Sequence, residues 1–127
     1  MKVLVVEDSS SMRAYLTTIL ESGSESYDLE IVEAASGFEA LKTLPHHKFD
    51  AILTDINMPD INGLELVSFM RKSEVHKSTP LVVISTEAAA RDRQRAMDLG
   101  ADAYLSKPFG PEELRTVIEK SRAGRSG

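Results

Sequence analysis

The chain contains no cysteine. That excludes disulfides and every thiolate metal site, zinc–sulfur centres included. Long apolar runs are also missing. The longest are four or five residues, where a membrane helix needs roughly 20, so no membrane insertion is expected. Neither GxGxxG nor GxxxxGKS/T occurs, and the backbone cradles that bind a dinucleotide or a nucleoside triphosphate have no counterpart. Positive charge is in short supply: 15 basic residues stand against 20 acidic ones, for a net charge of -5. That sign disfavours non-specific binding along a phosphate backbone, and no nucleic-acid partner is expected. The N-terminus opens directly on the strand-like run Val3-Leu4-Val5-Val6. No signal peptide and a cytoplasmic location are the matching expectations.

The 127 residues suit one domain, able to bury roughly two-thirds of its unfolded surface without staples. Residues 1–122 are expected to form that domain and 123–127 a flexible polar tail. Strand-like and helix-like segments alternate throughout. Strands are expected over residues 2–6, 29–34, 51–54, 80–84 and 103–105. Helical spacing of apolar residues marks 10–22 (Met12, Leu16, Ile19, Leu20), 64–72 (Leu64, Val67, Met70) and a last helix opened by Pro111 (Leu114, Val117, Ile118). Ser36 is a candidate cap for a helix over 37–44, with Glu39 as its capping-box partner and Pro45 as its stop. Residues 88–99 form a strong helix pattern that ends at Gly100, a favourable residue past a helix C-terminus. Arg91, Arg93 and Arg95 are interleaved there with Asp92 and Asp98, which reads first as a solvated face and second as a protein-docking face. Five such βα units in series predict an α/β fold, a parallel sheet with helices on both faces.

The polar residues just past the apolar runs carry the chemistry. Glu7 and Asp8 follow the first strand, Asp55 the third, Ser85 the fourth and Lys107 the fifth. In a doubly wound sheet all of them fall on the C-terminal edge, where function collects. Three carboxylates so close repel one another. A divalent cation relieves that, and oxygen ligands with room for water suit Mg²⁺. Asp55 is then a plausible nucleophile toward a phosphoryl group, with Lys107 and the Ser85 hydroxyl placed to meet its oxygens. Taken singly, each residue has a plainer reading. Asp8 or Ser85 could cap a helix, and Lys107 could be a surface lysine. Complementary chemistry at the ends of four strands is what favours a site.

The motifs Val5-Val6-Glu7-Asp8, Thr54-Asp55-Ile56-Asn57-Met58-Pro59-Asp60-Ile61-Asn62-Gly63, Ile84-Ser85-Thr86-Glu87-Ala88, Gly100-Ala101-Asp102-Ala103-Tyr104 and Lys107-Pro108-Phe109 resemble, in order and spacing, those of the response-regulator receiver domains. Within that family the chain looks most like the single-domain chemotaxis regulators. The resemblance covers about residues 2–121. It implies a flavodoxin-like sheet of order 2-1-3-4-5 with five helices. It implies a two-component signalling role, with Asp55 as the phosphoacceptor and a sensor histidine kinase as the phosphodonor. Mg²⁺ would be held by Asp8, Asp55 and the backbone carbonyl of Asn57, with Glu7 acting through water. Lys107 would contact the phosphoryl group, Ser85 would move toward it, and Tyr104 would be the switch coupled to Ser85. The Lys107–Pro108 bond would be cis, and Gly63 would permit the turn into the third helix. Asn57, Glu87 and Thr86 would tune the phosphoryl lifetime.

Departures from the family pattern are mild. Glu7 stands where aspartate is commoner, Ser85 where threonine is, and Thr86 where alanine is frequent. Phosphorylation would reshape the surface of the fourth helix, fifth strand and fifth helix, and a downstream protein would read it. The protein would not be an enzyme beyond its own phosphoryl transfer and dephosphorylation. About 20 residues after the last strand cannot supply a DNA-binding domain of roughly 60–100 residues, so protein binding is the expected output, in chemotaxis or another form of motility. Other readings remain open at this point. One is a degenerate receiver that binds without phosphorylation, and another is a receiver module of a larger regulator or hybrid kinase. An aspartate-nucleophile phosphatase would want a second aspartate where Asn57 stands. A flavodoxin-like cofactor binder would want a phosphate loop where Glu7 and Asp8 stand.

Overall fold

The computed structural model describes residues 1–22, 28–86 and 90–125. Among these, five strands alternate with five helices. They are β1 (Lys2–Val6), α1 (Ser10–Ser22), β2 (Glu30–Ala34), α2 (Gly37–Thr43), β3 (Ala51–Asp55), α3 (Gly63–Lys72), β4 (Leu81–Thr86), α4 (Ala90–Leu99), β5 (Ala103–Lys107) and α5 (Pro111–Arg125), with a 3-10 turn over Leu44–His46. Every pairing is parallel and the spatial order is β2-β1-β3-β4-β5. This is the doubly wound sheet that the sequence predicts. The chain runs outward from β1 to β2 and then back across to β3. The crevice where strand order reverses therefore lies over the C-terminal ends of β1 and β3.

The strands lack inside–outside alternation because both faces are covered. Leu4 and Val6 of β1 enter one apolar layer with Ile52, Val83, Leu66, Val67, Met70 and Ala96, under α2, α3 and α4. Val3 and Val5 enter the other with Leu53, Val82, Ile84, Leu16, Ile19, Leu20, Leu114 and Ile118, under α1 and α5. The helical spacings in the sequence thus choose the buried faces: α1 and α5 cover one side, the remaining three helices the other.

Boundaries differ from the sequence reading in ways that matter for the site. β3 continues through Asp55, β4 through Thr86 and β5 through Lys107. Pairing holds the extra residues in the ladder, with Asp55 opposite Ile84, Ser85 opposite Ser106 and Thr86 opposite Lys107. These polar residues are strand ends, not loop residues. Pro45 does not simply end α2. It sits in the first turn of the 3-10 segment, where its missing N–H has no helical partner to lose. Ser36 caps α2 as expected, accepting from the Glu39 N–H at 3.2 Å, but Glu39 returns its carboxylate to the Ala35 N–H at 3.0 Å. α3 starts one residue early, at Gly63, capped by Asn62. α5 runs on to Arg125, three residues past Arg122, where the domain was expected to end.

Leu53 is fully buried among β4, α1 and α5 residues. Leu53→Ala is expected to lower the unfolding free energy by about 2–5 kcal/mol, since the rigid sheet cannot close the gap. Urea titration followed by circular dichroism measures it, and a loss under about 1 kcal/mol would show that the layer does collapse.

Candidate functional site

The first turn after β1 is built from its own backbone groups. The Glu7 N–H donates to Ala34 O at 3.0 Å, extending the sheet contact by one residue. Ser9 caps α1, its Oγ accepting from Met12 N–H at 3.2 Å, so the cap is Ser9 and not Asp8. The Glu7 carboxylate accepts the Ser9 N–H at 3.2 Å, and Arg13 donates to the Glu7 carbonyl at 2.7 Å while pairing with Glu33 at 3.3 Å. Glu7 is left buried and Asp8 exposed.

Asp55 comes to the same place from β3. It is 5% exposed, and its Oδ1 lies 3.4 Å from the Asn57 N–H. Lys107, at the end of β5, places its ammonium 3.3 Å from Asp55 Oδ2 and 3.4 Å from Glu7 Oε2. The Lys107–Pro108 bond is cis, as the resemblance implies. Oxygens of Glu7, Asp8 and Asp55 all lie within 4.8 Å of one another. The sheet edge therefore does bring together the three acids and the lysine singled out in the sequence.

The electrostatics follow from burial. Glu7 is pushed up to about 7, first by loss of water and then by the Asp55 charge, with Lys107 pulling the other way. Burial and the neighbouring Asp55 charge together outweigh the one ammonium that faces Glu7. The donor set is all oxygen, two of the three groups are buried, and Asp8 faces solvent. That combination fits a hard divalent cation that keeps some of its water, as Mg²⁺ does.

Ser85 is fully buried on β4, and its Oγ has no hydrogen-bond partner among the described residues. Ser85 lies within β4, and its hydroxyl is left for some further acceptor. Ser85 shares a sheet face with Val83 two residues earlier. Tyr104 pairs in register with Val83 on β5 and packs against the layer under α2, α3 and α4. Tyr104 is half-buried, with the Arg93 guanidinium 5.9 Å from its ring centre. Asn57 is exposed in the loop after β3. Gly63 is required by close approach and not by a special turn angle. A Cβ there would lie 2.2 Å from the Asp55 carbonyl oxygen, and the Gly63 N–H closes the loop onto Ile56 O at 2.8 Å. Glu87 and the Thr86 side chain lie outside the described residues.

Residues 3–119 match the model of the response regulator receiver domain. The chain belongs to that family. Among receivers, a chemotaxis protein CheY homolog of Campylobacter jejuni is 34% identical over 100% of this chain and 96% of its own. Chemotaxis protein CheY1 of Helicobacter pylori is 37% identical over 94% of each chain. The structure of the chemotaxis response regulator CheY4 of Vibrio cholerae superposes with a TM-score of 0.83, at 36% identity, over 94% of this chain and 97% of that one. The acidic cluster of this receiver thus sits on a fold and a length shared with chemotaxis regulators.

Two residues near the receiver site were given no role in the sequence reading. Arg13 tethers the turn after β1, and Asp60 ties the loop after β3 to α2. Arg13 had a weak signal, a basic residue one turn into a helix that follows two acids. Asp60 had none beyond its membership of a turn-rich loop.

The proton affinity of Glu7 gives a pH test in metal-free protein. Its value in the fold lies above the 4.5 of an unperturbed glutamate. Between pH 4.5 and about 7 the folded state holds a proton that the unfolded chain has released, so stability falls as pH rises through that window. With a chelator present, Glu7→Gln is expected to flatten this slope and to be the more stable protein above the window. Denaturation curves at a series of pH values decide it. Parallel slopes in the two proteins would mean that Glu7 is not the group that titrates.

Proposed function

We propose that this receiver is a two-component phosphoacceptor in which Asp55 takes a phosphoryl group from the phosphohistidine of a sensor histidine kinase of the CheA type. The observation that carries the reading is the convergence of Glu7, Asp8, Asp55 and Lys107 on one sheet edge beside the unpartnered Ser85 hydroxyl. An Asp55 carboxylate oxygen attacks phosphorus, the phosphorus–nitrogen bond breaks, and the kinase imidazole leaves with its electron pair. Water later cleaves the acyl phosphate to restore Asp55 and release inorganic phosphate. Asp8, Asp55 and the Asn57 carbonyl would hold Mg²⁺, with Glu7 through water. Bound there, the ion neutralises phosphoryl oxygens and offsets the crowded carboxylates. Lys107 leaves its resting pair with Glu7 and Asp55 to meet another of those oxygens, and Ser85 supplies a hydroxyl donor.

The output is a change of surface. Ser85 moving toward the phosphoryl group vacates space on the face it shares with Tyr104. Inward rotation of Tyr104 then alters the face of α4, β5 and α5, where a downstream protein binds. Taking the population from mostly inactive to mostly active requires about 5.5 kcal/mol of differential stabilisation. The similarity to chemotaxis regulators supports a role in chemotaxis or a related motility pathway, and a cytoplasmic location follows from it. Asn57, Thr86 and Glu87 tune how long the phosphoryl group lasts.

Intact-protein mass after brief treatment with a small-molecule phosphodonor is the test. One phosphoryl adduct is expected with Mg²⁺, none without it, and none in Asp55→Asn, whose circular dichroism should stay that of the wild type. Undiminished uptake by Asp55→Asn would move the acceptor elsewhere. Mg²⁺ affinity by calorimetric titration should weaken by more than about tenfold in Asp8→Ala, since even a partner that only orients a ligand is worth that much. Equal affinity in the two proteins would remove Asp8 from the metal site.

A further inference from the structure

The loop between β3 and α3 is fastened at two points. Its base is closed by Gly63, whose N–H bonds to Ile56 O at 2.8 Å and whose bare Cα rests against the Asp55 carbonyl. Its tip is fastened to a different element. Asp60 Oδ1 accepts the Gly37 N–H at 3.1 Å, and Oδ2 accepts the Phe38 N–H at 2.9 Å. These are the opening N–H groups of α2, which lack partners within the helix. The Phe38 bond does most to hold the Asp60 carboxyl down to about 2, so the acceptor is the ionised form at neutral pH. The two surfaces also touch directly: a Cβ on Gly37 would lie 2.6 Å from Ile61 Cβ. Asn57 lies between the two fastenings, one residue past the base, with its N–H on Asp55 Oδ1 at 3.4 Å.

We propose that Asp60 is a positioning residue for the divalent cation, holding the loop against α2 so that the Asn57 carbonyl stays in place beside the Glu7, Asp8 and Asp55 carboxylates. This rests on the reading of Asn57 as a carbonyl ligand. Ligation by a backbone oxygen has one weakness, because no side-chain rotamer sets the oxygen's position. The path of the chain on either side sets it. Gly63 fixes that path on one side of the oxygen and Asp60 on the other. With Asp60 gone, the tip keeps its packing on Gly37 but loses both hydrogen bonds. The carbonyl then has to be ordered when the ion binds, and affinity falls. Asp60 itself touches neither the ion nor the phosphoryl group.

The experiment is calorimetric Mg²⁺ titration of the full chain at neutral pH and moderate salt, with a thermal melt of each variant. Asp60→Ala is expected to weaken Mg²⁺ binding by about tenfold, the lower end of the range for partners that orient a metal ligand. Asp60→Asn loses the charge but keeps one acceptor oxygen, and should recover at least half of that loss on a logarithmic scale. Ser36→Ala removes the other side-chain bond at the start of α2, that to the Glu39 N–H, without touching the loop. It should lower the melting temperature while leaving Mg²⁺ affinity at the wild-type value. Unchanged affinity in Asp60→Ala would overturn the proposal. So would an Asp60→Asn protein as weak as Asp60→Ala, which would point to simple charge attraction. A Ser36→Ala protein as weak as Asp60→Ala would overturn it too, by tracing the effect to α2 stability. Wild-type protein that binds no Mg²⁺ would sink the metal site itself, an outcome distinct from these three.

Discussion

Two carboxylates buried side by side at the end of an apolar sheet set the terms for the rest of this molecule. Glu7 lies just past β1 and Asp55 at the end of β3, beside valine, leucine and isoleucine, and little water reaches them. Unpaired buried charge costs several kcal/mol per ion, and like charges add repulsion. Lys107 answers part of this from 3.3 and 3.4 Å, and Glu7 answers another part by holding its proton to about pH 7. Neither answer is complete. A site left in that condition has affinity for added positive charge built into it, and the fold maintains the condition because Asp55 ends β3 while Glu7 directly follows β1, its neighbour in the sheet. Asp55 is held by its pairing with Ile84, and Glu7 by the bond from its N–H to Ala34 O, so the two cannot drift apart.

The reach of Lys107 depends on the same sheet. A lysine in a mobile loop after β5 would find water as readily as Glu7. Here β5 stays paired with β4 as far as Thr86 and Lys107, so the Cα of Lys107 is fixed in register and only the side chain is free. The same pairing carries Ser85 into the layer below. Functional groups on the last rung of a ladder are held more tightly than groups on a loop. This receiver places Asp55 and Lys107 on last rungs, and Ser85 one rung before the end of β4.

That placement also explains what the sequence did and did not disclose. Strand cores were legible because apolar runs mark them, and the helices because Leu16, Ile19, Leu20, Leu114 and Ile118 recur at helical spacing. The strand ends were not legible, because hydrophobicity stops at Thr54, Ile84 and Leu105 while hydrogen bonding continues one or two residues further. Glu7, Asp8, Asp55 and Lys107 could be placed at one edge from topology alone, since a parallel sheet sends every strand end the same way. Asp60 could not. Its bonds join residues 22 and 23 positions apart through a side chain and two backbone N–H groups, and no periodicity records such a contact. Gly63 was noticed for the wrong physical reason: its backbone angles are ordinary, and what forbids a side chain is the Asp55 carbonyl.

Ser85 joins the edge chemistry to the body of the fold. Its hydroxyl is enclosed and has no partner among the described residues, an arrangement that costs about 1–3 kcal/mol in a protein interior. An alanine would fill nearly the same space without that cost, so packing alone gives no reason for a hydroxyl. An acceptor arriving on Asp55, one strand over, does give a reason. On the proposed reading of Asp55 as the phosphoacceptor, that cost is recovered only in the phosphorylated state. A group that is unsatisfied in one state and satisfied in the other biases the equilibrium between them. Because Ser85 shares its face of the sheet with Val83 and Tyr104, the proposed displacement would be felt by the strand that borders α4 and α5. On this account the coupling from Asp55 to the partner-binding face needs no long relay. It spans two adjacent strand pairs, β3 with β4 and β4 with β5, and the penalty on one hydroxyl sets its direction.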